Sequence, residues 1–193
     1  MQQTLAGKHV RLETLTRDHV PDLWAVAQHD EIWRYMPVHP RSYDSMSRMV
    51  AGIIAETAHG QVIPFATRNL ATGQIVGSTQ ILDIQPAHRG AEIGFTWLTP
   101  AAWRTAINTE CKLLLLTYCF ESMNLIRVQL KTDARNNRSQ RAIERLGAVR
   151  EGVLRKHRIL HDGYIRDSVY YSIVDNEWPH VKLKLADLLA GVS

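Results

Sequence analysis

Apolar and polar residues alternate from Lys8 to Thr14, where Val10 and Leu12 sit between charged neighbours, and this period of two predicts a half-buried strand. A polar break at Thr16 and Asp18, with Pro21 in an early position, predicts a helix through Leu23, Trp24 and Ala27. The stretch DEIWRYMPVHPRS that follows holds two prolines and two aromatics and reads as a loop. Helical spacing returns with Met46, Met49, Val50, Ile53 and Ile54, which predicts a helix from Ser45 to Ala58 ended by Gly60. Three strands are predicted next, Ile63 to Asn69, Gln74 to Leu82 and Ala91 to Leu98. The turn signals Ala-Thr-Gly and Gln-Pro-Ala-His-Arg-Gly between them imply an antiparallel meander.

Beyond Pro100 the pattern predicts a helix from about Asn108 to Met123, apolar on most of its circumference, with Asn108 as its N-cap. Arg127 to Thr132 reads as a strand and Asn136 to Leu146 as a helix closed by Gly147, the residue suited to a left-handed cap. Two more strands, Val149 to Ile159 and Tyr164 to Val174, bracket the turn His161-Asp162-Gly163, and a helix over Pro179 to Leu189 ends the series. The order β-α-α-β-β-β-α-β-α-β-β-α predicts a mixed α/β fold in one domain over residues 1–193, without repeats or linkers.

Composition adds bounds. With 45% hydrophobic and 22% charged residues, disordered, collagen-like and disulfide-scaffold classes are excluded as expectations. The densest aliphatic run, Leu113 to Leu116, is too short to span a bilayer, and the first residues lack the apolar core of a signal peptide. Cys111 and Cys119 fall in one predicted helix about 12 Å apart, too far to bridge, which implies a reducing, cytoplasmic setting. No histidine or cysteine spacing suggests a metal. Lys and Arg exceed Asp and Glu only by 23 to 19, but Arg135 to Arg158 holds eight basic residues and two acids. Such a segment suits a polyanion, either cofactor phosphates or a nucleic-acid backbone, or else forms a solvated helix face.

The second half carries a specific string: AEIGFTWL, a loop, a long helix, IRVQLKTD, then Asn136-x-x-Ser139, Leu146-Gly147-Ala148 and Glu151-Gly152-x-Leu154-Arg155. It resembles the GNAT superfamily of acyl-CoA N-acyltransferases and, within it, the RimJ/RimL-like branch that acetylates protein N-termini. The opening VRLETLTRDHVPDLW and the loop EIWRYMP also look like that branch's substrate half. The resemblance implies a sheet of about seven mostly antiparallel strands, splayed in the middle and flanked by four to five helices. It implies an acetyl-CoA-dependent N-acetyltransferase whose acceptor is a primary amine, first a protein N-terminal α-amine, then a small-molecule amine such as a polyamine or antibiotic. A catalytically weakened module binding CoA or RNA is the alternative from another class. Neither a metal, nor nucleic acid as a partner of the enzyme, nor a membrane is expected, and a homodimer is compatible.

Residue by residue, the resemblance assigns Phe95, Thr96, Trp97 and Leu98 to the strand edge that binds the pantetheine amides. It assigns Arg104, Thr105, Ala106, Ile107, Asn108 and Thr109 to the pyrophosphate turn at a helix N-terminus. The family's loop has small residues where this chain places Ala106 and Asn108, and neither is glycine. Arg104 is unusual there and either pairs with a phosphate oxygen or protrudes to block the site, and a modified but working loop is the expectation. Asn136 matches the asparagine contacting the pantetheine arm, and Ser139 a hydroxyl beside the sulfur that protonates the departing thiolate. Many relatives use instead a tyrosine four residues before the glycine, where this chain has Ile143. Glu92, expected to share a sheet face with Gly94 and Thr96, matches the carboxylate that removes the amine's proton. RimL-like sequences also place a glutamate where this chain has Arg158, and alternation puts His157 on the face opposite Arg158. Trp33 and Tyr35 are expected to wall the acceptor site, with Gly163, Tyr164 and Arg166 in a hairpin that often shapes it.

Overall fold

A computed structural model describes residues 3–191 of the chain. The elements run β1 (Thr4–Ala6), β2 (Val10–Thr14), α1 (Val20–Val26), α2 (Asp30–Trp33), α3 (Tyr43–Glu56), β3 (Ile63–Asn69), β4 (Ile75–Gln85) and β5 (Gly90–Leu98). They continue with α4 (Ala106–Thr117), β6 (Arg127–Asp133), α5 (Asn137–Leu146), β7 (Val149–Ile159), β8 (Ile165–Val174) and α6 (Trp178–Ala190). The mixed α/β class follows the expectation. One strand is added, because Thr4–Ala6 pairs with Arg11–Glu13. A short helix, α2, stands within the expected loop, where Ile32 and Trp33 turn into the core.

The eight strands form one sheet in the order β1-β2-β3-β4-β5-β6-β8-β7. Every neighbouring pair is antiparallel except β5 and β6, which are parallel and joined by α4. That parallel pairing covers only Gly90 with Arg127, Ala91 with Val128 and Glu92 with Gln129, after which the two strands diverge.

Each face of the sheet has its own core. On one face α4 and α6 pack on Val10, Leu12, Ile93, Val128, Leu130, Tyr171 and Ile173, with Leu115 and Leu116 fully buried. Each such leucine contributes about 2 kcal/mol through the apolar surface it removes from water. On the other face α1, α2 and α3 bury Leu23, Trp33, Met46 and Val50 against Ala66, Ile75 and Trp97.

A carboxylate fastens the first hairpin to α4. Glu110 is buried and accepts the backbone N–H groups of Lys8, His9 and Val10 at 2.8, 2.6 and 2.7 Å. Gly7 is required beside it, because a Cβ there would collide with the Glu110 carboxyl group. The expected C-terminal cap also forms: Gly147 adopts a left-handed φ of 104° and donates its N–H to the Glu144 carbonyl.

Candidate active site

Two irregularities open a cleft in the sheet. Beyond Glu92 the side of β5 facing β6 has no strand partner among the described residues. Within β5 the register against β4 slips between Gln80–Gly94 and Ser78–Trp97, so that Phe95 and Thr96 oppose Thr79. This is a β-bulge, and Phe95 takes a left-handed φ of 50°. The resulting cleft has a volume of about 640 Å³ and is lined by Gly94–Leu98 of β5, by the start of α4, by β6 and α5, and by the loop after α2.

The bulge corrects one expectation. Glu92 and Gly94 share a face, since a Cβ on Gly94 would lie 2.6 Å from the Glu92 Oε1. Thr96 is shifted to the opposite face, where its hydroxyl meets Thr79 Oγ1 at 2.7 Å and accepts from Lys112 Nζ of α4 at 2.8 Å. Lys112 is buried without a carboxylate partner among the described residues, and loss of hydration pushes its pKa down to about 8. A lysine directly before the aliphatic run Leu113–Leu116 was the signal available in the sequence.

Glu92 is buried. It is 2% exposed and its Oε2 accepts from Lys131 Nζ at 2.7 Å and Gln129 Nε2 at 3.0 Å, both from β6. His157 reaches the same face, contrary to strict alternation. A second bulge between Leu154 and Arg158, with Lys156 at a φ of 51°, turns its ring onto Ser168 Oγ at 3.0 Å and Tyr170 Oη at 3.3 Å. Burial, helped by Arg158 and Lys131, lowers the His157 pKa below the usual value.

At the other end, α4 begins at Ala106 with Thr105 as N-cap, its hydroxyl accepting from the Ile107 N–H at 3.3 Å. Asn108 is thus one turn inside the helix rather than its cap. The turn before it closes through Arg104 at a left-handed φ of 61°, a conformation more commonly given to glycine. Arg104, Thr105 and Asn108 line the cleft. Ala106, Ile107 and Thr109 are buried under it, with Thr109 Oγ1 accepting from Arg145 Nη2 at 3.2 Å. Arg138, Arg141 and Arg145 of α5 add positive charge, Arg138 lying 3.6 Å over the Trp103 ring.

Asn136 caps α5, its Oδ1 accepting the Ser139 N–H at 3.1 Å, and both residues face the cleft. The Ser139 hydroxyl makes no hydrogen bond among the described residues. Of the two expected aromatic walls only Tyr35 lines the cleft. Trp33 is fully buried, packed on Trp97 at 5.1 Å and His39 at 5.9 Å, with its indole N–H donated to the Ala27 carbonyl. Its burial completes the second core. In the β7–β8 hairpin Arg166 lines the cleft, whereas Tyr164 lies under Arg135 at 3.3 Å.

Cys111 and Cys119 are both free and buried, which pushes their thiols up to about 12. The described residues contain no group of three metal-ligating side chains and no helix long and apolar enough to cross a membrane.

A strand edge freed by a split, set beside a helix start and a basic helix, defines an acyl-CoA N-acyltransferase architecture. Residues 9–149 match the family model of the acetyltransferase (GNAT) domain, and the chain belongs to that family of N-acetyltransferases. The chain is 37% identical to a provisionally named acetyltransferase from T. thermophilus, with a TM-score of 0.89 and 98% of each chain covered. It is 32% identical to YdaF of Bacillus subtilis (strain 168), provisionally named a ribosomal N-acetyltransferase, over 56% of this chain and 58% of YdaF. Mycobacterium smegmatis RimJ in complex with CoA-disulfide shares the fold at a TM-score of 0.82 and 23% identity, over 99% of this chain and 93% of RimJ. The likeness to RimJ is one of fold.

Proposed function

We propose that this protein transfers the acetyl group of acetyl-CoA to a primary amine, most readily a protein N-terminal α-amine, by direct attack in a ternary complex. The observation that carries the reading is the unpaired edge of β5 after Glu92, beside a basic helix start. Main-chain groups of Phe95–Leu98 that β6 leaves unpaired suit the amides of a pantetheine chain, the Leu98 carbonyl excepted, which accepts the Trp103 indole N–H at 2.8 Å. Arg104, with the N–H groups at the start of α4, suits a pyrophosphate. Acetyl-CoA supplies the activated thioester; the chain's residues orient it and handle protons. Asn136 holds α5 in place through Oδ1 and has its amide N–H groups left for the arm. Ser139, with an uncommitted hydroxyl, donates a proton to the departing thiolate. Glu92 has its Oε2 occupied, so Oε1 is the atom that would accept the ammonium proton, directly or through water. The reading treats residues 1–193 as one catalytic unit in a cytoplasmic setting, where two reduced cysteines are ordinary.

The acceptor preference follows from proton energetics. An α-amine of pKa about 7.8 is roughly a tenth neutral at pH 7, whereas lysine at about 10.4 is neutral in only a few molecules per ten thousand. The difference is roughly 3.5 kcal/mol, which a strong base would have to supply. Glu92 is bound to a lysine, and Arg158 stands where RimL-like sequences place a glutamate. Small-molecule amines of lowered pKa satisfy the same argument. The test is calorimetry and thermal shift with acetyl-CoA, then thiol release with N-terminal peptides, N-blocked lysine peptides and polyamines. Absence of any acetyl-CoA signal removes the donor, and faster turnover of blocked lysine peptides removes the α-amine preference.

A further inference from the structure

On the face of the sheet that carries Glu92, two arginines stand side by side. Arg158 of β7 and Arg166 of β8 are register partners, and both line the cleft. Arg166 is only 8% exposed, yet its Nε reaches no acceptor, and its hydrogen bond from Nη1 to the Tyr35 carbonyl is a long 3.4 Å. Arg158 has no ion pair among the described residues. The neighbouring carboxylates are already engaged. Asp133 accepts from Arg135 Nε, Nη2 and the backbone N–H at 3.0, 2.8 and 2.8 Å, and Glu92 is held by Lys131 and Gln129. Lys131, Arg135, Arg158 and Arg166 thus set four cations against the two carboxylates of Glu92 and Asp133. A buried guanidinium with an unmet N–H loses its hydration without compensation, and two like charges across a strand pair repel. Such a pair is stable at low cost when a planar anion lies between its members.

This pair is not the phosphate end of the cleft. Arg104 and Arg145 gather at the start of α4, and α4 packs on the opposite face of the sheet. Glu92 and Asp133 are close enough to Arg166 to act on its charge, so the pair belongs to the end where the amine would be deprotonated.

We propose that the acceptor carries a carboxylate near its reacting amine and that Arg158 and Arg166 bind this carboxylate. The proposal rests on reading the cleft as an acetyl-transfer site. Forked guanidinium donors match a carboxylate in two-point contact, which lysine cannot reproduce. The same surplus of positive charge rejects polyamines, because a second ammonium would face Arg158, Arg166 and Lys131. The carboxylate has two sources, the α-carboxylate of a free amino acid or an acidic side chain at the start of a peptide.

The test pairs acceptors that differ in that charge, alanine against alaninamide and Asp-Ala-amide against Asn-Ala-amide, with each rate compared per neutral amine because a neighbouring carboxylate raises the pKa of the amine. The N-acetylated forms of all four are titrated calorimetrically into the CoA-loaded protein, so that binding is read without turnover. In one of the two pairs the carboxylate member is expected to win by about tenfold or more in kcat/KM, mainly through KM, and to bind more tightly as product. The winning pair identifies the source. Arg166→Met is expected to collapse the ratio, as is Arg158→Gln, whose exposed position spares the fold. Turnover without a charge preference in either pair overturns the inference and leaves acetyl transfer standing. Selective binding of the carboxylate products without turnover sustains the carboxylate site at Arg158 and Arg166 and removes the proposed activity. Equal binding and equal turnover in wild type, or an undiminished ratio in both folded variants, refutes the role of the pair.

Discussion

Lys112 offers a stability test that does not depend on finding the substrate. Its ammonium is buried between α4 and β5 with the Thr96 hydroxyl as a partner, and burial lowers its pKa from an ordinary 10.5 to about 8. Below pH 8 both native and unfolded chains hold the proton, and the native state carries the full desolvation cost. As pH rises from about 8 to 10.5 the native state releases a proton that the unfolded chain still binds, so stability increases across that window. The shift corresponds to about 3 kcal/mol. Lys112→Met fills similar space without charge and leaves the Thr79 and Thr96 hydroxyls bonded to each other. Losing the lysine-to-threonine hydrogen bond costs about 1 kcal/mol. The net expectation is a gain of about 2 kcal/mol at pH 7, or roughly 4 to 8 °C in Tm for a chain of this length. Urea and thermal unfolding of both proteins at pH 7 and pH 10 check it. The advantage of the variant should shrink toward zero or reverse at the higher pH. A variant less stable than wild type at pH 7, or one whose advantage is the same at both pH values, would refute the reasoning.

Glu110→Ala strands three N–H groups in the first hairpin and should cost about 3 kcal/mol or more in urea unfolding; a loss under about 1 kcal/mol would show that water replaces the carboxylate. Ser139→Ala should lower kcat by about a hundredfold while leaving the calorimetric Kd for CoA near wild type, and an unchanged kcat would reduce the residue to a place in the helix. Asn136→Ala should weaken CoA binding and also cost about 1 kcal/mol of stability through the lost cap of α5, so affinity and Tm must fall together. If only Tm falls, Asn136 serves the helix alone.

What the sequence discloses and what it hides divide along the range of the interactions. Strand alternation and helical spacing are local, and the predicted Ile63 to Asn69 and Val149 to Ile159 are the observed strands. Gly60 and Gly147 close helical segments as their lack of a Cβ suggests. The bulges are hidden because Phe95 and Lys156 are not residues that advertise a left-handed backbone; the register of the partner strand imposes it. That is why Thr96 and His157 were expected on the wrong faces. Thr105 and Asn108 are both competent caps three residues apart, and packing of Ala106 and Ile107 into the core decides between them. Trp33 was expected at the site because the resemblance places its loop there, while the contact that buries it against the sheet comes from Trp97, distant in the chain. The basic run from Arg135 to Arg158 was visible as charge, but its division between opposite sheet faces requires the strand order.

The grip of Glu110 on Lys8 to Val10 has a consequence for the order of assembly during synthesis. Strands β1 to β5 each pair with the next strand in sequence, β2 with β3 across the helices α1 to α3 and the other pairs through short turns, so the meander can form as the chain emerges. The carboxylate that fastens the first hairpin lies about a hundred residues downstream, on the helix that also covers Val10, Leu12 and Ile93. Until that helix leaves the ribosome the nascent meander shows a bare apolar face and an unfastened leading hairpin, the state in which a growing chain is most open to chaperones and to misassociation. The arrival of α4 covers part of that face, locks the leading hairpin and presents its own N-terminus to the cleft, so the far end of the sheet is fastened in the step that begins the site which β6, α5 and β8 then complete.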